Sequence, residues 1–222
     1  MSDAGYLVAG LVVAGVLVAA VGPAAATQSG PTEGLTVDLA ADGSAEVTLV
    51  LTYDLDSENE SDAFRALADD QAARERFARR FRQRIGRVAA DAANETGRQM
   101  RITNASLAVR TAGDTGVVEL SVTWRGLAAV ADGTVTLTEP FASGYAADQQ
   151  VRVVAPEGYE LTSVTPEPDA RTATTATWDR GSDLSGLEVV ATESSGESGP
   201  GFSVGVTLVA LAAAAAFAAR RR

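Results

Sequence analysis

Both ends of this 222-residue chain are oily, and that confines any water-soluble fold to what lies between them. Tyr6 to Val21 is an unbroken run of apolar residues and glycine, followed by Gly22-Pro23 and then Ala24-Ala25-Ala26. A run of this length, a helix breaker and a small-residue A-x-A site read as a secretory signal over residues 1–26, cleaved after Ala26. The first residues carry Asp3 and no basic group, so the alternative is an uncleaved anchor, shorter than the ~20 apolar residues of an ordinary span. At the other end, residues 193–199 form a Ser/Gly/Glu linker, Phe202 to Ala219 is apolar, and Arg220, Arg221 and Arg222 close the chain. The apolar stretch is just long enough to cross a bilayer, and Ser203, Gly205 and Thr207 weaken it. The terminal arginines put the C-terminus in the cytoplasm and the body outside. Residues 27–192 are left as one exported domain, long enough to bury a real core.

Pro200, Gly201 and Phe202, then a short span, then a basic end resemble the archaeal Pro-Gly-Phe C-terminal sorting signal (PGF-CTERM). The resemblance implies that an archaeosortase-type enzyme removes the span and that a lipid replaces it. A weak span suffices when it must hold the protein only until processing. The alternative is a permanent single-pass anchor. Either way the expected partners are the secretion machinery and the membrane, and the expected place is the outer face of the cell membrane.

Composition excludes much chemistry. The chain has no Cys, His or Lys, and all 18 basic residues are Arg. Disulfide frameworks, thiolate nucleophiles, His-based triads and Lys Schiff bases are therefore excluded. The net charge is -11, and the body without its ends holds 15 Arg against 28 acids. Nucleic acid is not an expected partner, because a phosphate binder needs a basic face. Acidic, Ala-rich, Lys-free composition fits a halophilic source, where the Debye length falls to ~3 Å and like charges repel weakly.

An exported context has separate support. The chain has three Asn, and each opens an N-x-S/T sequon: Asn59-Glu60-Ser61, Asn94-Glu95-Thr96 and Asn104-Ala105-Ser106. Ser and Thr fill only about a sixth of the chain, so three of three is not the expected coincidence. Glycosylation is expected at Asn59, Asn94 or Asn104.

The body reads as α+β. Leu35, Val37 and Leu39 alternate with polar residues, Ala41-Asp42-Gly43 signals a turn, and Ala45, Val47, Leu49, Leu51 and Tyr53 alternate again, which is a β-hairpin. Ser57 and Glu60 have capping-box spacing, and Ser61 or Asp62 are alternative caps. Phe64, Leu67, Phe77, Phe81, Ile85, Val88 and Ala92 then recur at helical spacing. This predicts one long amphipathic helix from about Asp62 to Thr96, with a penalty at Gly86 and a stop at Gly97. An antiparallel β-rich half follows: Ile102 to Val109, Val117 to Trp124, Thr134 to Thr138, Val151 to Val154, Leu161 to Val164, Thr172 to Trp178 and Leu187 to Val190.

Several motifs in this order resemble a haloarchaeal family of exported domains of unknown function. They are Asp42-Gly43-Ser44-Ala45 before a strand, the Phe-rich helix, Asn94 through Met100, Val122-Thr123-Trp124, Pro156 through Asp169, and Trp178. The resemblance covers about Leu35 to Ala191. Some relatives continue into a span and a cytoplasmic winged helix, whereas this chain ends in a sorting tail. The family carries no established catalytic residues, so none transfers.

The remaining clusters are charged or aromatic. Arg74, Arg76, Arg79, Arg80, Arg82, Arg84 and Arg87 read as an anion or acidic-glycan docking strip, or as a solvated helix face paired with acids elsewhere. Asp54, Asp56, Glu58, Glu60 and Asp62 suit a hard cation only loosely and lack an EF-hand glycine, so a hydrated loop is the plainer reading. Trp124 and Trp178 suit a sugar platform or the core, and Arg98 suits an electrostatic anchor for the helix end. The expectation is a non-catalytic surface module, structural or binding other envelope proteins or glycans, with no metal or cofactor. The alternatives are a surface carbohydrate hydrolase using paired carboxylates, or a sensory ectodomain partner.

Overall fold

The structure is a computed structural model that describes residues 32–143 and 147–194. Ala26, Pro200, Gly201, Phe202 and the apolar segment 202–219 lie outside the described residues. The hairpin forms as its alternation predicts. β1 (Gly34–Leu39) and β2 (Ala45–Asp54) pair antiparallel with Val37 opposite Val47 and Leu39 opposite Ala45. At the turn the Asp42 carboxylate accepts the Ser44 N–H at 2.9 Å. Gly43 has φ 77° and leaves room for nothing larger, since a Cβ there would lie 2.5 Å from the Ala128 carbonyl oxygen.

The helical stretch is two helices rather than one: α1 (Glu58–Ala68) and α2 (Gln71–Thr96). The break is at Asp69 and Asp70. The Asp70 carboxylate accepts from Ala72 N–H at 2.8 Å and Ala73 N–H at 3.1 Å, an N-cap that starts α2 afresh. The capping box does not form. Ser57 is the N-cap of α1 but makes no side-chain cap bond, and Glu60 instead accepts the Asp54 N–H at 2.8 Å. Gly97 stops α2 as expected, at φ 70° with its N–H on Ala93 O.

The strands that follow are β3 (Arg101–Ala112), β4 (Thr115–Arg125), β5 (Ala129–Ala131), β6 (Thr134–Leu137), β7 (Val151–Val154), β8 (Tyr159–Thr165), β9 (Ala170–Arg171), β10 (Thr175–Trp178) and β11 (Glu188–Glu193). They complete a seven-stranded sheet, order β3-β4-β2-β1-β7-β10-β9, and a four-stranded sheet, order β5-β6-β11-β8. The β-rich half is not purely antiparallel. β7 pairs parallel to β1, with Val153 beside Val37. Ser194 N–H bonds Gly158 O at 2.8 Å, so the folded body reaches at least residue 194.

Register explains the layers. Val37, Val47, Val122, Val153 and Ala176 share one face of the large sheet, because their strands pair them in sequence. That face meets Val135, Leu137, Leu161 and Val189 of the small sheet and Ala89 and Ala92 of α2 in one continuous core. Helices and small sheet thus cover the same face, α1 and α2 over the β2-β4-β3 end. The opposite face is mostly polar, with Thr36, Asp38, Glu46, Thr48, Ser121 and Thr123, and a Thr48–Ser121 hydroxyl bond of 2.9 Å crosses it.

Candidate functional site

The α2 arginines make the one strongly basic surface of the described residues in an acidic chain. They hold seven of the 18 Arg, with Glu75 the only acid among them. Arg76, Arg80, Arg84 and Arg87 recur at i, i+4, i+8 and i+11, which lines one flank of the helix with guanidiniums about 6 Å apart along the axis. All four are exposed. Beside them the aromatic stripe is only half-buried at Phe77 and Phe81, and the Arg80 guanidinium lies 5.8 Å from the Phe77 ring centroid, a cation–π distance.

Arg74 departs from the expected strip. Its Nη1 donates to Leu67 O at 2.8 Å and Ala68 O at 2.6 Å, so it closes the last turn of α1. Ion pairing is local rather than with distant acids: Arg76 to Asp70 at 3.5 Å and Arg79 to Glu75 at 3.7 Å, both more than half exposed and worth little. Arg82, Arg84 and Arg87 form no ion pair among the described residues. A planar guanidinium left free presents a fork that fits a carboxylate or sulfate bidentately.

The three sequon asparagines are all exposed and stand on three different elements. Asn59 is in the first turn of α1 and Asn94 in the last turn of α2. Asn104 stands at φ 51° in a bulge of β3, where the pairing register shifts between Thr103 and Ser106, and its amide nitrogen donates to Thr123 Oγ1 at 3.3 Å.

The tryptophans are core residues, Trp124 3% and Trp178 1% exposed, which rules out a sugar platform. Trp178 Nε1 donates to Pro166 O at 3.2 Å, and the Asp169 carboxylate accepts the Asp179 N–H at 2.8 Å and Ser182 Oγ–H at 3.1 Å. The Pro166-Glu167-Pro168-Asp169 motif therefore clamps β10. Those bonds hold the Asp169 carboxyl below the usual carboxylate range. Arg98 directly follows the Gly97 cap and donates through Nε to Gly126 O at 3.2 Å and through Nη2 to Leu127 O at 2.8 Å, which ties the end of α2 to the turn after β4.

Among the described residues no cluster of three or more Asp or Glu could hold a metal ion, and the acidic run spends Glu60 and Asp54 on backbone N–H groups. One carboxylate pair is invisible in the sequence. Asp38 and Glu46 lie directly opposite across β1 and β2 on the polar face. Burial first, then the Glu46 charge, push the Asp38 carboxyl above its ordinary value, against the opposing pull of Arg152. The pairing register, knowable only once the hairpin turn is placed, is the signal that would reveal it.

These features define an acidic, two-sheet α+β module with one basic helix face. The chain belongs to the family described as a domain of unknown function (DUF7345), matched over residues 36–159, more than half its length. No curated protein matches it. The match runs from β1 to the first residue of β8, so the clamp around Trp178 lies beyond it. No helix among the described residues is long and apolar enough to cross a membrane.

Proposed function

We propose that this protein is a non-catalytic surface module of an archaeal cell, held at the outer face of the membrane by its C-terminal segment or a replacing lipid, and that it docks an acidic glycan on the arginine flank of α2. The flank carries the reading: four exposed guanidiniums in one line, three of them without an ion pair among the described residues, on a chain of net charge -11. Bidentate guanidinium contacts act at hydrogen-bond range and so persist where brine screens longer-range attraction. The apolar ends, the sequons and the Lys-free acidic composition support the location.

Mass spectrometry of the native protein from membranes tests the anchoring. The expected species begins at Thr27, lacks the apolar tail, carries a lipid, and bears sugar at Asn59, Asn94 or Asn104. An intact Phe202–Arg222 tail refutes the sorting, and three bare asparagines refute the glycosylation. Retention on a carboxylated or sulfated polysaccharide tests the docking, which Arg80→Gln, Arg84→Gln and Arg87→Gln together should abolish; unchanged retention refutes it.

A second reading, carbohydrate hydrolysis, is favoured by the Asp38–Glu46 pair, because a general acid needs a raised carboxyl. The pair lies on an open sheet face rather than in a cleft. Glycosidase activity lost in Asp38→Asn would replace the first reading with this one.

A further inference from the structure

β3 ends the seven-stranded sheet, and its only strand partner among the described residues is β4. Natural edge strands are guarded by charge, proline or bulges. The first half of β3 has such guards: Arg101, and the bulge that carries Asn104 and its sequon. The second half does not. Ser106 to Ala112 pairs without a break against Ser121 to Thr115, contains no proline, and has Arg110 as its one charge. Alternate backbone N–H and C=O groups there point away from β4.

A groove of about 400 Å³ runs beside this stretch, under the junction of α1 and α2. Phe64, Ala68, Leu107, Val109 and the stem of Arg74 line it. The Arg74 head is already committed to α1 carbonyls, and Arg110 and Thr111 complete the lining, so the groove is mixed, with its apolar part at Phe64, Ala68, Leu107 and Val109. Leu107 and Val109 are only half-buried within it. An open edge with half-buried apolar side chains on one face receives an added strand whose alternate side chains are apolar.

We propose that the occupant is the same stretch of a second copy, paired antiparallel about a two-fold axis at Ala108. Ser106 to Arg110 is self-complementary in that register. Leu107 of each copy faces Val109 of the other, and both enter the grooves. Ala108 meets Ala108 on the polar face. Arg110, without an ion pair among the described residues of the single chain, meets Ser106 rather than another arginine and approaches the partner's Glu119, which flanks Ala108. No like charges are brought face to face. Two chains of charge -11 resist meeting in dilute buffer, so salt strengthens this contact, the opposite of its effect on an ion-paired one.

The cysteine-free sequence makes the test clean. Residues directly opposite in such a pair have Cβ atoms about 4.5–5.5 Å apart, within reach of a disulfide. Full-length Ala108→Cys in detergent, oxidised in molar salt, should cross-link at least ~10-fold faster than Glu157→Cys, an exposed turn control, through the raised effective concentration of the paired thiols. Ser106→Cys mixed with Arg110→Cys should cross-link faster than either alone, and Ala108→Cys should slow in dilute salt. Far-ultraviolet circular dichroism checks that each variant folds. Cross-linking of Ala108→Cys no faster than the control, or faster in dilute salt, overturns the proposal, as does an edge that captures an unrelated β-forming peptide while the chain stays monomeric.

Discussion

Gly116 is the seat on which α1 rests, and replacing it with alanine tests the packing directly. It lies opposite Tyr53 on the inner face of the sheet, beneath Phe64 of α1, whose ring centroid is 6.0 Å from that of Tyr53. A Cβ on Gly116 would lie 2.5 Å from Phe64 Cδ2 and 2.8 Å from Cγ and Cε2. Cγ is the root of the ring, so the phenyl cannot simply swing its tip away, and either α1 or the ring must retreat by about 1 Å to reach ordinary contact. Overpacking of this kind costs ~1–3 kcal/mol, and full loss of the Phe64 seat bounds it at the ~3–5 kcal/mol of a buried Phe→Ala. Phe64 is the only large apolar side chain that α1 buries, so the cost falls on this helix. Urea unfolding followed by the buried Trp124 and Trp178 gives the global cost, and amide exchange over residues 58–68 shows whether α1 loosens first. Combining Gly116→Ala with Phe64→Leu should cost less than the sum of the two by ~1 kcal/mol or more. A neutral Gly116→Ala, or strict additivity, refutes the reasoning.

Gly86 has helical neighbours, and a Cβ placed on it would meet no atom within 4 Å, so Gly86→Ala should stabilise by about 0.4–1 kcal/mol, read as a higher urea midpoint. Asp70→Ala should remove exchange protection at the Ala72 and Ala73 amides while leaving that of the C-terminal turns of α2 intact. Asp38 binds its proton more tightly folded than unfolded, so its contribution favours the fold below the unfolded value of ~3.9 and is lost as pH rises through the higher folded value. Asp38→Asn should therefore be more stable than the parent at neutral pH, with the advantage vanishing in acid. Asp42 and Asp169 have the opposite sign: hydrogen bonds lower both carboxyls, so their contribution is present above ~3.9 and is lost as pH falls through their folded values. Asp42→Asn and Asp169→Asn should flatten the acid limb of a stability-against-pH curve.

What can be read from the sequence is what is local. The hairpin announces itself through alternation over Leu35–Tyr53, and Gly97 through its place after the last helical residue. The break at Asp69–Asp70 is hidden because an Asp-Asp pair serves equally as exposed surface or as a cap. The parallel seat of β7 beside β1 depends on residues more than 100 positions apart, and no local pattern in Val151–Val154 distinguishes a parallel from an antiparallel neighbour. The same applies to the candidate site. Seven arginines are visible as a run, but that Arg74 turns inward to the α1 carbonyls follows from the interhelical break. The Asp38–Glu46 pair follows from register, and the open second half of β3 from which strand the sheet leaves outermost.

The parallel pairing of β1 with β7 also sets a timetable. β1 precedes the other strands during synthesis, yet it sits inside the sheet with one flank reserved for residues 151–154. Until those residues arrive, the growing chain holds a half-built sheet whose apolar face lacks both its later strands and its second layer. Closing so distant a contact is slow compared with forming a helix or hairpin. A chain built this way completes its large sheet late, when residues 151–154 take their place beside β1.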